Sequence, residues 1–135
     1  MLRRDRPVLV VEDDVDSRIL LATLLTLHRY QVVTASNGRD ALDRAREYQP
    51  CVILLDLMMP VMTGEEFRVA QRADPTISSI PVILVTAVHD ARQKAHELGA
   101  VCCVPKPIDF EELLTSVAAH CDARARNDSP AGGSD

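Results

Sequence analysis

Five short apolar runs alternating with five helical patterns predict an α/β domain with a parallel sheet and helices on both faces. The runs at 8–11, 51–55 and 81–85 are rich in Val, Ile and Leu and carry no charged residue. Strands buried on both faces, as in the centre of a parallel sheet, read this way. Each gap between runs holds one helix, which suits right-handed βαβ crossovers.

The first strand is 8–11. A helix follows from 14 to 28, with Ile19, Leu20, Leu24 and Leu27 as its apolar set. A shorter strand covers 31–35, and Ser36-Asn37-Gly38 supplies cap and turn chemistry. The next helix carries Ala41, Ala45 and Tyr48 at helical spacing and stops at Pro50. The third strand ends at Asp56. A loop from Met58 to Gly64 leads into a helix over 65–73, which Asp74-Pro75 breaks. The fourth strand ends at Thr86. A helix over 90–98 turns Ala91, Ala95 and Leu98 inward and stops at Gly99. The fifth strand is 101–104, followed by Pro105-Lys106-Pro107. Asp109 with Glu112 resembles a capping box. It opens a last helix whose stripe is Phe110, Leu113, Leu114 and Val117.

At 135 residues the chain makes one domain with a core of its own. Residues 1–6 read as a flexible arm, 7–121 as the folded domain, and 122–135, polar and rich in small residues, as a disordered tail. The sequence holds no helix-turn-helix or other second module, which predicts a stand-alone unit. A hydrophobic share of 47% with 26% charged residues is that of a soluble protein. No apolar run approaches the roughly 18 residues of a membrane span, so the expected location is the cytoplasm, with no membrane partner. The net charge of −5 argues against nucleic acid, which needs a basic face. Cys51, Cys102, Cys103 and Cys121 lack C-x-x-C spacing and read as free structural thiols of a reducing compartment, with Cys121 the exposed one.

The chemistry lies where strands end. Glu12, Asp13 and Asp14 follow the first strand, Asp56 the third, Thr86 the fourth and Lys106 the fifth. In an open α/β sheet these ends share one edge, where ligands bind. Carboxylates gathered there demand a hard cation, and oxygen ligands suit Mg²⁺. Asp14 and Asp16 also suit helix capping. Thirteen of the fifteen basic residues are Arg, so a lysine between two prolines suggests that a compact ammonium is wanted. Such a set suits phosphoryl transfer to Asp56, in which positioning and electrostatics do nearly everything.

In these residues the sequence resembles the receiver domain of two-component response regulators, a CheY-like family. The matching stretches are Val8 to Asp14, Asn37 to Leu42, Leu54 to Pro60, Met62-Thr63-Gly64, Pro81 to Ala87, and Lys106-Pro107 with Asp109. The resemblance implies a flavodoxin-like doubly wound five-stranded sheet with strand order 2-1-3-4-5. It implies that Asp56 accepts a phosphoryl group from a sensor histidine kinase or phosphotransfer protein. Asp13 then matches the direct Mg²⁺ ligand, Glu12 its acidic neighbour, and Met58 the residue whose backbone carbonyl completes the metal site. Thr86 matches the switch hydroxyl, with Ala87 beside it, and Lys106 the phosphate-pairing lysine, joined to Pro107 by a cis peptide.

The family usually places an aromatic residue three positions before that lysine, and here Cys103 stands there. A switch built on an aromatic rotamer is therefore absent. The helix after Asp90, the fifth strand and the last helix are the expected output face toward a downstream effector, with the chain a monomer or a phosphorylation-dependent homodimer. Cys121 hints at the dimer. Apolar Met58 and Val88 at the mouth of the site predict slow hydrolysis of the phosphorylated state. The rival readings are a degenerate receiver that binds a partner without phosphorylation, and a Mg²⁺-dependent aspartyl phosphohydrolase. The latter generally needs an acid where Met58 stands.

Overall fold

The computed structural model describes residues 6–59 and 61–127, with the backbone alone for 123–127. Ten elements alternate in order: β1 Val8–Val11, α1 Val15–Leu27, β2 Val32–Ala35, α2 Gly38–Tyr48, β3 Val52–Leu55, α3 Gly64–Arg72, β4 Val82–Thr86, α4 Ala91–Leu98, β5 Cys102–Pro105 and α5 Phe110–Asn127. All strand pairs are parallel and the order is β2-β1-β3-β4-β5. This is the architecture the sequence predicts.

Alternation along each strand divides the core into two layers. Leu9, Val11, Ile53, Leu55, Val82 and Leu84 face α2, α3 and α4, where Ala41, Leu42, Ala45 and Phe67 complete the layer. Val8, Val10, Val52, Leu54, Ile83, Val85 and Val104 face α1 and α5, meeting Leu21, Leu25, Leu113 and Val117. Both faces of the central strands are thereby dry, which is why their sequences show no polar alternation.

The caps follow the residue chemistry. The Asp14 carboxylate accepts from Ser17 N–H at 2.9 Å, Asn37 caps α2, and Thr63 with Glu66 forms a reciprocal capping box on α3. Asp109 accepts from the N–H groups of Glu111 and Glu112. Gly99 closes α4 in the left-handed region at φ 69°.

Several expectations need correction. On α1 the residues that face the sheet are Leu21 and Leu25, with Leu24 half-buried. Ile19 is 58% and Leu27 75% exposed, and Leu20 is exposed with them. From Ile19 to Leu27 the helix carries no charge, so its spacing offers more than one stripe and only docking selects among them. Tyr48 and Phe110 are also exposed, at 43% and 38%, whereas Cys121 is 1% exposed. Cys51 and Cys121 are not free thiols; they form a disulfide, while Cys102 and Cys103 remain unpaired thiols. Cys121 is therefore unavailable for pairing two copies of the chain. Helix α5 continues to Asn127, past the point where the tail was expected to begin. Arg6 is not loose: its guanidinium donates to the carbonyls of Gln49 and Pro50. Residues 1–5 and 128–135 of the expected arm and tail lie outside the described residues.

Candidate functional site at the carboxyl edge of the sheet

Register brings the strand ends together. Val11 pairs with Leu55, so the next residues, Glu12 and Asp56, emerge side by side. Leu55 pairs with Leu84 and Thr86 with Pro105. Thr86 therefore rises one residue beyond the level of Asp56 and Lys106 two, both on the β4–β5 side of it.

Glu12 and Asp56 are 2% and 5% exposed, whereas Asp13 reaches into solvent. One oxygen from each of the three lies within 4.8 Å of the others. The Lys106 ammonium donates to Glu12 Oε1 at 2.7 Å and to Asp56 Oδ2 at 3.3 Å. Backbone N–H groups complete the cradle: Asp14 donates to Glu12 Oε2 and Met58 to Asp56 Oδ1. Burial pushes the Glu12 carboxyl above the ordinary carboxylate range, with nearby Asp56 adding to this and the Lys106 bond opposing it. Burial works against the charge of Lys106, but the Glu12 hydrogen bond and the two carboxylates outweigh it and hold the ammonium above its usual value. Among the described residues, two buried carboxylates share a single ammonium, with a third carboxylate at the rim. That donor set, all hard oxygen and short of positive charge, fits a divalent cation such as Mg²⁺.

Thr86 is fully buried and its hydroxyl accepts from Val88 N–H at 3.4 Å. The Lys106 N–H donates to the Thr86 carbonyl, and the Lys106–Pro107 peptide is cis. Beside Thr86 opens a cavity of about 560 Å³ lined by Ala87, Val88, Ala91, Cys103 and Pro105. Met58 is 68% exposed above Asp56, while Val88 packs partly against the core. Asp14 belongs to the helix cap, and its bond from Ser17 holds its carboxyl below the ordinary value.

Two supporting residues escaped the sequence reading. Arg18 reaches back from α1 to donate to the carbonyls of Glu12 and Asp13, at 2.9 and 3.4 Å. A Cβ on Gly64 would lie 2.8 Å from Leu57 Cα and 2.9 Å from the Asp56 carbonyl oxygen, so α3 starts against the loop after Asp56 only because that residue is glycine. The Met62-Thr63-Gly64 stretch signalled a turn but not this contact. A buried pair, Arg68 and Gln71, was also missed: Arg68 donates to Gln71 and to the carbonyls of Leu98 and Gly99. It anchors the end of α4 to α3.

A parallel five-stranded sheet that gathers three carboxylates, an ammonium and a buried hydroxyl at its carboxyl edge defines a class of α/β domains suited to a hard cation and a phosphoryl group. The comparison with known families is specific. Residues 8–118 match the response regulator receiver domain, and the chain belongs to that family, whose members are the phosphate-accepting signalling modules of two-component systems. It is 39% identical over 114 residues to a transcriptional regulatory protein CpxR homolog of Haemophilus influenzae, which covers 83% of this chain and 48% of that protein. It is 34% identical to protein PilH of Pseudomonas aeruginosa, over 83% of this chain and 94% of PilH. The chain thus spans about half the length of several curated relatives and nearly all of another. Among solved structures, the chemotaxis protein CheY4 of Vibrio cholerae superposes with a TM-score of 0.77 at 33% identity, over 84% of this chain and 97% of CheY4. No helix among the described residues is long and apolar enough to cross a membrane.

Proposed function

We propose that Asp56 accepts a phosphoryl group from the phosphohistidine of a sensor kinase or phosphotransfer protein, and that the resulting change at Thr86 reaches a partner protein in the cytoplasm. The observation that carries this reading is the convergence of Glu12, Asp13 and Asp56 within 4.8 Å, with Lys106 Nζ 3.3 Å from Asp56 Oδ2. An Asp56 oxygen attacks phosphorus, the P–N bond breaks, and its electron pair stays on the imidazole nitrogen, which takes up a proton. Glu12, Asp13, Asp56 and the Met58 carbonyl would hold Mg²⁺, which offsets charge on the phosphoryl oxygens when bound. Lys106 already contacts Asp56 and moves little to pair with a phosphoryl oxygen. Thr86 is one step along the rim, placed to donate its hydroxyl to another.

The donor needs a place to dock. Val15 and Ile19 are more than half exposed on the first turns of α1, immediately beyond the acidic loop. They offer an apolar shelf for a helix that carries the phosphohistidine. With Cys103 in the place of an aromatic ring, displacement of Thr86 acts on the 87–90 loop and α4 directly. That helix is held at its far end by Arg68 and has no side-chain cap at Asp90, so its first turn is the part free to respond.

Intact mass after incubation with Mg²⁺ and a small acyl phosphate tests the reading. A single phosphate adduct is expected, lost in Asp56→Asn and in the presence of a chelator. No adduct in the wild-type chain would leave a phosphorylation-independent binding module, and turnover of an unrelated phosphomonoester would favour a hydrolase.

A further inference from the structure

The disulfide lies at the opposite end of the strands from the carboxylates. Cys51 stands immediately before β3, and its N–H donates to the Pro7 carbonyl. Cys121 lies on α5, one turn beyond Val117. The two are 70 residues apart in sequence and their Cα atoms are 5.2 Å apart. Both are 1% exposed, inside the layer formed with α1 and α5. Helix α5 is fastened to that layer by three buried side chains at spacings of four, Leu113, Val117 and Cys121, and the last of these is covalent. The closed ring from 51 to 121 contains Asp56, Thr86 and Lys106 and excludes β1 with Glu12 and Asp13.

The other two cysteines are free thiols, and sheet geometry puts only Cys102 on the same side as this bond. Cys102 and Cys103 are adjacent on β5 and point to opposite faces, Cys103 toward the α2–α3–α4 layer and Cys102 toward α5. Cys102 bonds Ser116, and burial raises its thiol pKa, which keeps it a poor attacking group.

We propose that Cys51 and Cys121 form a redox modification site, a dithiol–disulfide pair that locks the last turns of α5 to the sheet and releases them on reduction. In a reducing compartment a disulfide is transient and regulatory rather than permanent. The reactant is a dithiol. One of its thiolates attacks a protein sulfur, the S–S bond breaks, and a mixed disulfide forms. Its second thiol then displaces the protein, leaving two protein thiols and an oxidised reductant, with two electrons and two protons transferred. Since both sulfurs are buried, the dithiol reaches them only when the end of α5 lifts. Reduction in the native state is therefore slow and reports that opening. The outer surface of α5 becomes responsive to thiol redox state, independently of the phosphoacceptor crevice at the other end of the strands.

The test compares the full chain as purified under air with the same chain treated with dithiothreitol. Alkylation in denaturant without reductant is expected to label two cysteines in the first preparation and four in the second, with a 51–121 crosslinked peptide only in the first. Amide hydrogen exchange should then accelerate about tenfold in α5 beyond Val117 on reduction, with segments flanking Asp56 unchanged. Cys121→Ala should reproduce the reduced pattern under either condition, and the reduced wild type provides that reading if the variant does not fold. Four labelled cysteines in the air-oxidised protein would overturn the site. Identical exchange in α5 before and after reduction would overturn the lock.

Discussion

Replacing Lys106 by Met tests the electrostatic account of the site most directly. Among the described residues Lys106 is the single ammonium against Glu12 and Asp56, both nearly fully buried, and its own side chain is 25% exposed. Removing one partner of a buried pair typically costs about 3–5 kcal/mol, because the remaining charge is stranded. Partial solvent access places Lys106→Met near the low end, about 3 kcal/mol near pH 8 without divalent cations. The cost depends on pH with a defined sign. Glu12 has a raised pKa in the folded chain, so between its unfolded and folded values the native state holds more protons and stability falls as pH rises. The Lys106 bond is the main influence lowering that pKa, and its loss extends the window upward. The stability contributed by the raised pKa of the ammonium is lost only as pH rises past the ordinary lysine value of 10.5, outside the range used here. Toward acid pH, once Glu12 has taken up its proton, one stranded anion remains instead of two, and the loss should shrink to about 1 kcal/mol. Urea unfolding at the two pH values reads this as a midpoint shift of roughly 1.5 M at the higher pH and about a third of that at the lower. Added Mg²⁺ should restore part of the loss near pH 8. An equal loss at both pH values would refute the assignment of Lys106 as counter-ion to a strained acid pair.

Gly64→Ala should cost about 1–3 kcal/mol and slow phosphorylation, because its Cβ meets the backbone of Asp56 and Leu57; thermal melts and adduct formation measure both. Met58→Asn and Val88→Glu should shorten the lifetime of phosphorylated Asp56 by admitting water, and unchanged lifetimes would remove the shielding argument. Cys103→Tyr places a ring into the cavity beside Thr86, so stability should hold within about 1 kcal/mol and tyrosine fluorescence should change on phosphorylation, an effect that Thr86→Ala abolishes. Asp74 is held down to about 2, first by its bond from Arg46 and then by Thr76. The contribution of that pair is present above the ordinary Asp value and is lost as pH falls toward about 2. The melting curves of wild type and Arg46→Ala should therefore converge in strong acid and separate slightly above it.

The fold was legible because the strands are buried on both faces. Val8–Val11, Val52–Leu55 and Val82–Thr86 carry almost no polar residue until the chain leaves the sheet, so the first polar residue after each run marks the rim. Glu12, Asp56, Thr86 and Lys106 could be nominated together on that ground. Helices gave weaker signals. On α4 the small residues Ala91 and Ala95 left one choice of inward face, and they are buried. On α1 a charge-free run from Ile19 to Leu27 left several, and contact with the sheet selected Leu21 and Leu25.

Sequence by itself determined the alternation of elements, the carboxyl edge and the residue types gathered there, because these depend on local patterns of apolar and polar residues. Tertiary structure alone decided that Cys51 meets Cys121, that Arg18 ties down the acidic loop from a turn away, and that Gly64 must lack a side chain against Asp56. Each of these is a contact between segments that reach one another only through sheet register and helix docking. Periodicity records which way a side chain faces within its own element, and carries no information about what lies opposite.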